Sequence, residues 1–312
     1  MAFLIHRNLF LLTIPASPFA LRLAQDDAFL STFQQGQLTS ELLKVLYNLL
    51  SKVPDVATSR LHGLFPALYS MFDADTVAHE LSDTQTSAPI VHVVHALLLY
   101  TPSAYGQQWF ADMARTQGIV TKLFRGVDAL LTDHEAKGRP AYECEERLSP
   151  IAMLLANLVA ANEDVKQHAY TIVFPDTIDR SQPLDKGSNL TSRLIRLMTS
   201  ALLPKSKELV SELLFALCDH NVDKLNEHVG LGNAAGFLIN RGLFQVPQTT
   251  AQHGDRFVDP ITGQLKDTNQ PDPFAGMTDE EKEREAERLF VLFDRLQKTG
   301  VVKVMTQHNT DG

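Results

Sequence analysis

Four segments of this chain share one pattern, and that recurrence limits what it can fold into. They begin at Glu41 (Glu-Leu-Leu-Lys-Val-Leu-Tyr-Asn-Leu), Ile90 (Ile-Val-His-Val-Val-His-Ala-Leu-Leu), Ile151 (Ile-Ala-Met-Leu-Leu-Ala-Asn-Leu-Val) and Val210 (Val-Ser-Glu-Leu-Leu-Phe-Ala-Leu-Cys). Each is apolar nearly all round, as expected of a helix packed between neighbours on several sides. Their starts lie about 50 to 60 residues apart, somewhat more than the ~40 to 47 residues of armadillo and HEAT units, which implies insertions between helices. The pattern predicts an all-α, armadillo- or HEAT-like helical solenoid.

The rest of the chain agrees with this reading. Alternating β-branched runs are scarce, and apolar residues recur at intervals of three and four. The spacing predicts helices over Leu38–Leu50, Pro89–Tyr100, Gln107–Leu131, Glu145–Ala161, Leu190–Leu202 and Ser206–Cys218, with weaker signals over Ser59–Phe72 and Asp164–Ile172. With 44% hydrophobic residues in 312, the chain can build a large core. At the start, the apolar run Leu9 to Ile14 is followed by small residues and Pro15 and Pro18. We read it as a core helix ended by proline rather than a secretory signal. No apolar run reaches the roughly 20 residues of a membrane span.

After Gly242 the character changes. Gln245 to Met277 is rich in Pro, Gly, Thr, Asn and Asp and reads as an irregular arm. Beyond it, Thr278 and Glu281 have the spacing of a capping box, and acidic residues crowd the first turn of the helix they would open. Ala286, Leu289, Phe290, Phe293 and Leu296 form one apolar stripe, and Gly300 is a stop signal. The predicted organisation is a repeat domain over 1–243, an arm over 244–277, an amphipathic helix over 278–299 and a frayed tail over 300–312.

Composition excludes several functions. A formal net charge of −9 without a basic run argues against nucleic-acid binding, which needs cations to neutralise phosphates. Two cysteines, Cys144 and Cys218, make neither a disulfide framework nor a zinc site, and a reducing compartment such as the cytoplasm fits. His92 and His95 lack a third ligand and read as packing residues. Cys218, Asp219 and His220 are adjacent on a helix and cannot converge as nucleophile and base. Gly230 to Gly236 is glycine-rich but does not follow a strand, so close helix packing is the simpler reading. No catalytic residue, metal or cofactor is expected. Asn48 and Asn157 fall at similar places in two of the repeated segments. A buried amide must be paired, so each either bonds a neighbouring helix or faces a groove that receives a peptide.

The last third resembles the synembryn family of receptor-independent exchange factors and folding chaperones for heterotrimeric G-protein α subunits. Three stretches carry the resemblance: Val229-Gly-Leu-Gly-Asn-Ala-Ala-Gly-Phe-Leu with Arg241-Gly-Leu, then Val258-Asp-Pro-Ile-Thr-Gly, then Pro273-Phe-Ala-Gly-Met-Thr-Asp-Glu-Glu-Lys with Phe293-Asp-Arg-Leu. Weaker similarity runs upstream through Arg193-Leu-Ile-Arg-Leu-Met-Thr and Leu43-Lys-Val-Leu-Tyr-Asn. The resemblance implies that the partner is an α subunit in its GDP-bound or nucleotide-free form. Its C-terminal helix would lie on the concave surface of the repeats near Asn48 and Asn157, and the arm and helix would embrace its nucleotide domain through Met277, Leu289, Phe290, Phe293 and Leu296. Family members are longer at the N-terminus, so the resemblance also implies a chain that starts inside the repeats. Thr249 and Thr250 lack flanking acids, unlike the phosphorylated linker of animal members. A generic helical-repeat scaffold without exchange activity is the alternative.

Overall fold

The computed structural model describes residues 38–45, 47–48, 64–73, 77–82, 89–138 and 140–244, the short stretches 252–253, 256–258 and 264–267, and Thr278 and Arg284. By contacts the chain divides into two units, Met1–Lys266 and Asp267–Gly312, and the repeats belong to the first. Helical turns at 38–45 and 64–70 precede ten helices: α1 (Val77–Ser82), α2 (Pro89–Leu97), α3 (Pro102–Trp109), α4 (Met113–Lys137), α5 (Ala141–Ala161), α6 (Glu163–Val173), α7 (Leu190–Met198), α8 (Pro204–Leu217), α9 (Val222–Val229) and α10 (Leu231–Asn240). Three short strands come next, β1 (Gln252–His253), β2 (Arg256–Val258) and β3 (Leu265–Asp267), in one sheet ordered β1-β2-β3 with β1 and β2 antiparallel. They fall where the sequence predicted only irregular chain. Two and three residues are too few to show a period of two.

Helix ends follow local chemistry. Asp112, Asn162, Asn189 and Asn221 each accept a backbone N–H from three residues on, at 2.8–3.1 Å, pairing donors that the first turn leaves free. Pro102 and Pro204 open α3 and α8, where a missing N–H costs nothing. The predicted helix over Gln107–Leu131 is two helices, because the Asp112 cap starts α4 after the chain breaks at 110–112. α1, α9 and α10 were not predicted at all. Six to ten residues hold too few turns for a clear period.

The helices pack with a period of three. α1 lies against α4, α4 against α7 and α7 against α10; in a second row α2 lies against α5 and α5 against α8. The second row is made from the segments that begin at Ile90, Ile151 and Val210, so the sequence repeat marks equivalent helices of successive units. Polar bonds between units join residues 47 to 65 apart: Thr121 Oγ1 to His168 Nε2 at 2.8 Å, Lys122 Nζ to Phe72 O at 2.7 Å, Ser149 Oγ to Ser206 Oγ at 3.1 Å and Arg193 Nη1 to Asp128 Oδ1 at 2.6 Å. α1 and α4 approach closely at Gly126, where a Cβ would lie 3.0 Å from Leu81.

One apolar core runs through the described helices, from Leu43 and Leu64 through Leu123, Leu155 and Leu214 to Leu238. An aromatic knot of Phe65, Tyr69, Tyr100, Tyr105 and Trp109 anchors its early part, with ring centroids 4.9–5.7 Å apart. Trp109 is fully buried and donates Nε1–H to Tyr100 O at 2.6 Å. Thr116 Oγ1 donates to the Trp109 carbonyl. Its one proton is therefore used, so the Tyr69 hydroxyl must be the donor in its 2.6 Å bond to Thr116. A Thr116→Val substitution keeps the shape and leaves two buried groups unpaired. It should cost about 1–3 kcal/mol and shift the emission of Trp109, the only tryptophan in the chain, measured by urea unfolding followed by fluorescence.

Candidate partner-binding surface

The row α2–α5–α8 carries the candidate surface. α5 is its middle member: α2 and α8 flank it, and α4 and α6 pack against it as well. Its inward residues are Cys144, Leu148, Ile151, Ala152, Leu154, Leu155, Leu158 and Val159, all buried. The exposed positions Tyr142, Glu146, Met153 and Ala160, with half-buried Asn157 among them, recur at helical spacing on the opposite face. Met153 is 43% exposed, an uncommon place for a large thioether unless something covers it or it is left adaptable.

α5 and α8 are locked at their N-terminal ends. The first turn of α8 has no cap from its own Leu203. Instead Glu145 Oε1 reaches across from α5 and accepts the backbone N–H groups of Lys205 and Ser206, at 2.6 and 3.2 Å. A carboxylate at a helix N-terminus also meets the positive end of the dipole. At the far end Arg241, inside the family-like Arg-Gly-Leu stretch, forms an ion pair with Glu212 of α8 and lies over the Phe237 ring.

The sequence-derived site residues fare differently. Asn48 is exposed and Asn157 half-buried, which corrects the premise that these amides are core groups. Exposure removes the need for an internal partner, and the Asn157 side chain makes no hydrogen bond among the described residues. Asn157 faces outward on the row. Met277, Leu289, Phe290, Phe293 and Leu296 lie outside the described residues. Of the segment predicted as a helix over 278–299, Thr278 is exposed and Arg284 is helical and exposed.

His92 and His95 lie on α2 with rings 6.3 Å apart. His95 Nδ1 bonds Val91 O at 2.9 Å, and its ring meets Tyr47 edge-on. Burial, with help from Lys44 and His95, holds the His92 pKa down to about 4. Among the described residues no group of three or more His, Cys, Asp or Glu could hold a metal ion. Burial pushes the Cys144 and Cys218 thiols up to about 12, so both are protonated and poor nucleophiles near neutrality. Asp219 is occupied by Lys166 and Lys224, at 2.6 and 2.7 Å. It sits with His220 in a left-handed turn, φ 56° and 54°, conformations that Asp and His tolerate better than most residues.

Sequence reasoning missed a second groove, of about 550 Å³, lined in part by Tyr170, Phe174, Arg180, Lys224 and His228. Its members come from α6, α9 and the loop before α7, which no local motif links. Arg180 is an obligate donor, so its 3.2 Å bond to His228 Nδ1 fixes that nitrogen as the acceptor. Nε2 then carries the proton and donates to the Tyr170 hydroxyl at 2.8 Å. Phe174 stacks on the imidazole with centroids 4.4 Å apart. Arg180 Nη1 also holds Glu227 O at 2.8 Å, near the C-terminal end of α9. The polar groups of this groove therefore bind the loop to the helix.

Taken by its fold, this is a helical-repeat protein of three helices per unit, with a polar and apolar outward row and no cluster of catalytic groups among the described residues. Comparison with known proteins narrows the class. The profile of the family described as guanine nucleotide exchange factor synembryn matches residues 20–312, and the chain belongs to that family. It is 26% identical over 296 residues to Chaperone Ric-8A of Pongo abelii, a match covering 87% of this chain and 54% of that protein. It is also 30% identical over 193 residues to the protein of the same name from Macaca fascicularis, covering 57% of this chain and 36% of the relative. The chain thus spans about half the length, or less, of these curated relatives. No helix among the described residues is long and apolar enough to cross a membrane.

Burial, reinforced by the Arg180 and Lys224 charges, holds the His228 pKa down to about 4. Below the ordinary histidine value near 6.5, the unfolded chain takes up a proton that the folded form refuses, so stability must fall as the pH drops from about 6.5 to 4. His92 adds to the same trend. We expect the urea midpoint to fall across this window and His228→Gln to flatten part of the fall. Identical pH profiles for the two proteins would contradict the assignment of His228 as a half-buried imidazole held neutral in the fold.

Proposed function

We propose that this chain binds heterotrimeric G-protein α subunits in the cytoplasm and acts as a receptor-independent guanine nucleotide exchange factor and folding chaperone. The observation that carries the reading is the family match over residues 20–312, and the relatives named as chaperones support its second half. The fold is compatible with it. A row of helices with an outward face of mixed chemistry suits a protein ligand, and exchange of this kind needs no covalent step.

The mechanism is differential binding. A protein that holds the open, nucleotide-free α subunit more tightly than the GDP-bound form lowers the free energy of the open state by the difference, with about tenfold in population for each 1.4 kcal/mol. GDP then leaves faster, and a newly made α subunit is held in a form that can receive nucleotide. In this reading the repeats take the C-terminal helix of the α subunit. The stripe Leu289, Phe290, Phe293 and Leu296, with Met277, takes the nucleotide domain.

Nucleotide-state pull-downs test the proposal. The chain should retain nucleotide-free or GDP-loaded α subunit and release the GTP-loaded form, and it should accelerate GDP release from purified α subunit. Equal retention of all states, without faster GDP release, would leave a scaffold in place of an exchange factor.

The C-terminal stripe has its own test. Leu289→Asp with Phe293→Asp places two charges in whatever contact the stripe makes, at several kcal/mol. If the stripe serves the α subunit, binding and GDP release fall while the melting temperature holds. Loss of stability ahead of binding would assign it to the fold instead, and unchanged binding and exchange would remove this helix from the functional surface.

A further inference from the structure

We infer that the last pair of helices, α9 and α10, opens as one body ahead of the rest of the repeats, hinged at Asp219 and His220 and latched by the ion pairs of Asp219 with Lys166 and Lys224. Opening moves the point, at Gly242 to Phe244, from which the following chain leaves the repeats. The inference stands on the repeats alone and does not need the α-subunit reading.

The hinge is the first observation. Between α8 and α9 the chain turns through Asp219 and His220, with φ 56° and 54°. Two successive residues with a Cβ in the left-handed region are strained, even with side chains that tolerate it well. The Asp219 carboxylate clasps this turn. One oxygen meets Lys166 Nζ of α6 at 2.6 Å, and the other meets Lys224 Nζ of α9 at 2.7 Å. Lys166 is held in turn by Glu163 at 2.7 Å. The clasp ties α9 to the preceding unit across the strained joint, and partly exposed ion pairs of this kind are weak enough to be undone.

The second observation is that the pair itself is weakly built. Asn226 of α9 is buried, and neither its Oδ1 nor its Nδ2 has a hydrogen-bond partner among the described residues, which burdens the closed state with an unpaired amide. Gly236 lies inside α10, where a Cβ would meet nothing within 4 Å. Packing does not require a glycine there, yet the helix bears its entropic cost. Packing is also one-sided. α10 meets α7, α8 and α9, while Gly232, Gly236, Ile239 and Asn240 are exposed on its other face, Ile239 at 60%. By contrast, α5 is held by α2, α4, α6 and α8. A strained joint, an unpaired buried group and a face without neighbours are the marks of a segment that opens locally.

Native-state hydrogen exchange on the 312-residue chain tests this. In the unaltered chain the amides of 222–240 should exchange through one common opening, well before those of α5 and α8. Gly236→Ala should slow exchange across both helices roughly 2- to 5-fold, the range for a glycine inside a helix. Asn226→Leu should slow it as well, by removing the unpaired amide. Asp219→Asn keeps a side chain suited to the left-handed turn but loses the clasp, and should speed the exchange of both helices together while α5 is unmoved. Protection of α9 and α10 equal to that of α5 and α8 in the unaltered chain overturns the inference. A response to Gly236→Ala confined to α10 also overturns it, because the two helices would then open separately. An even change through all helices after Asp219→Asn does the same, by making the clasp part of global stability.

Discussion

Stacking of α1 on α4, α4 on α7 and α7 on α10, and of α2 on α5 and α5 on α8, is the interaction on which this structure depends. The short helices could not be stable alone. α1, α3 and α9 have six to eight residues, well short of the ~12–15 needed for even marginal stability in water. They hold their form because α4, α5 and α8, the longer members, offer apolar flanks on several sides. The same need explains why the repeated segments are apolar nearly all round, and why polar residues between units are spent on joining neighbours. Glu145 capping α8, Arg147 reaching the Glu80 and Leu81 carbonyls, and Arg196 gripping Glu135 each tie one unit to the next.

That economy shapes the candidate surface. Several charged groups on α5 and α8 serve the fold, among them Glu145, Arg147 and Glu212, and the polar groups of the groove at Tyr170 and His228 are engaged with one another. Among the described residues Glu146, Lys205, Lys207 and Glu208 enter no ion pair, and Met153 is exposed. Among the described residues no group of three or more His, Cys, Asp or Glu could hold a metal ion, and both cysteines are buried.

The repeat and its helices were legible in sequence, and for a physical reason. The segments that begin at Ile90, Ile151 and Val210 are buried on several sides, so burial wrote itself into nearly every position and the pattern stood out. Short helices escaped. Over the eight residues of α9, Leu225 and Val229 are too few to separate helix from turn, and its Asn221 cap is one signal among many asparagines. The break between α3 and α4 was also hidden, since the apolar rhythm runs on from Gln107 and only the Asp112 cap interrupts it.

The sequence by itself determined the fold class, the period near 50 to 60 residues, and membership in a family through motifs such as Val229 to Leu238 and Arg241 to Leu243. Local spacing and composition suffice for these, because they depend on what each residue contributes to its own helix. Only the tertiary structure decided which groups are left free. Asn48 and Asn157 look alike in sequence, yet one is exposed and the other half-buried on a central helix. Glu145 and Glu146 are neighbours in the chain, yet one is spent on capping α8 and the other faces outward. Such differences arise from residues 47 to 65 positions away that pack against each helix, and no local pattern records them.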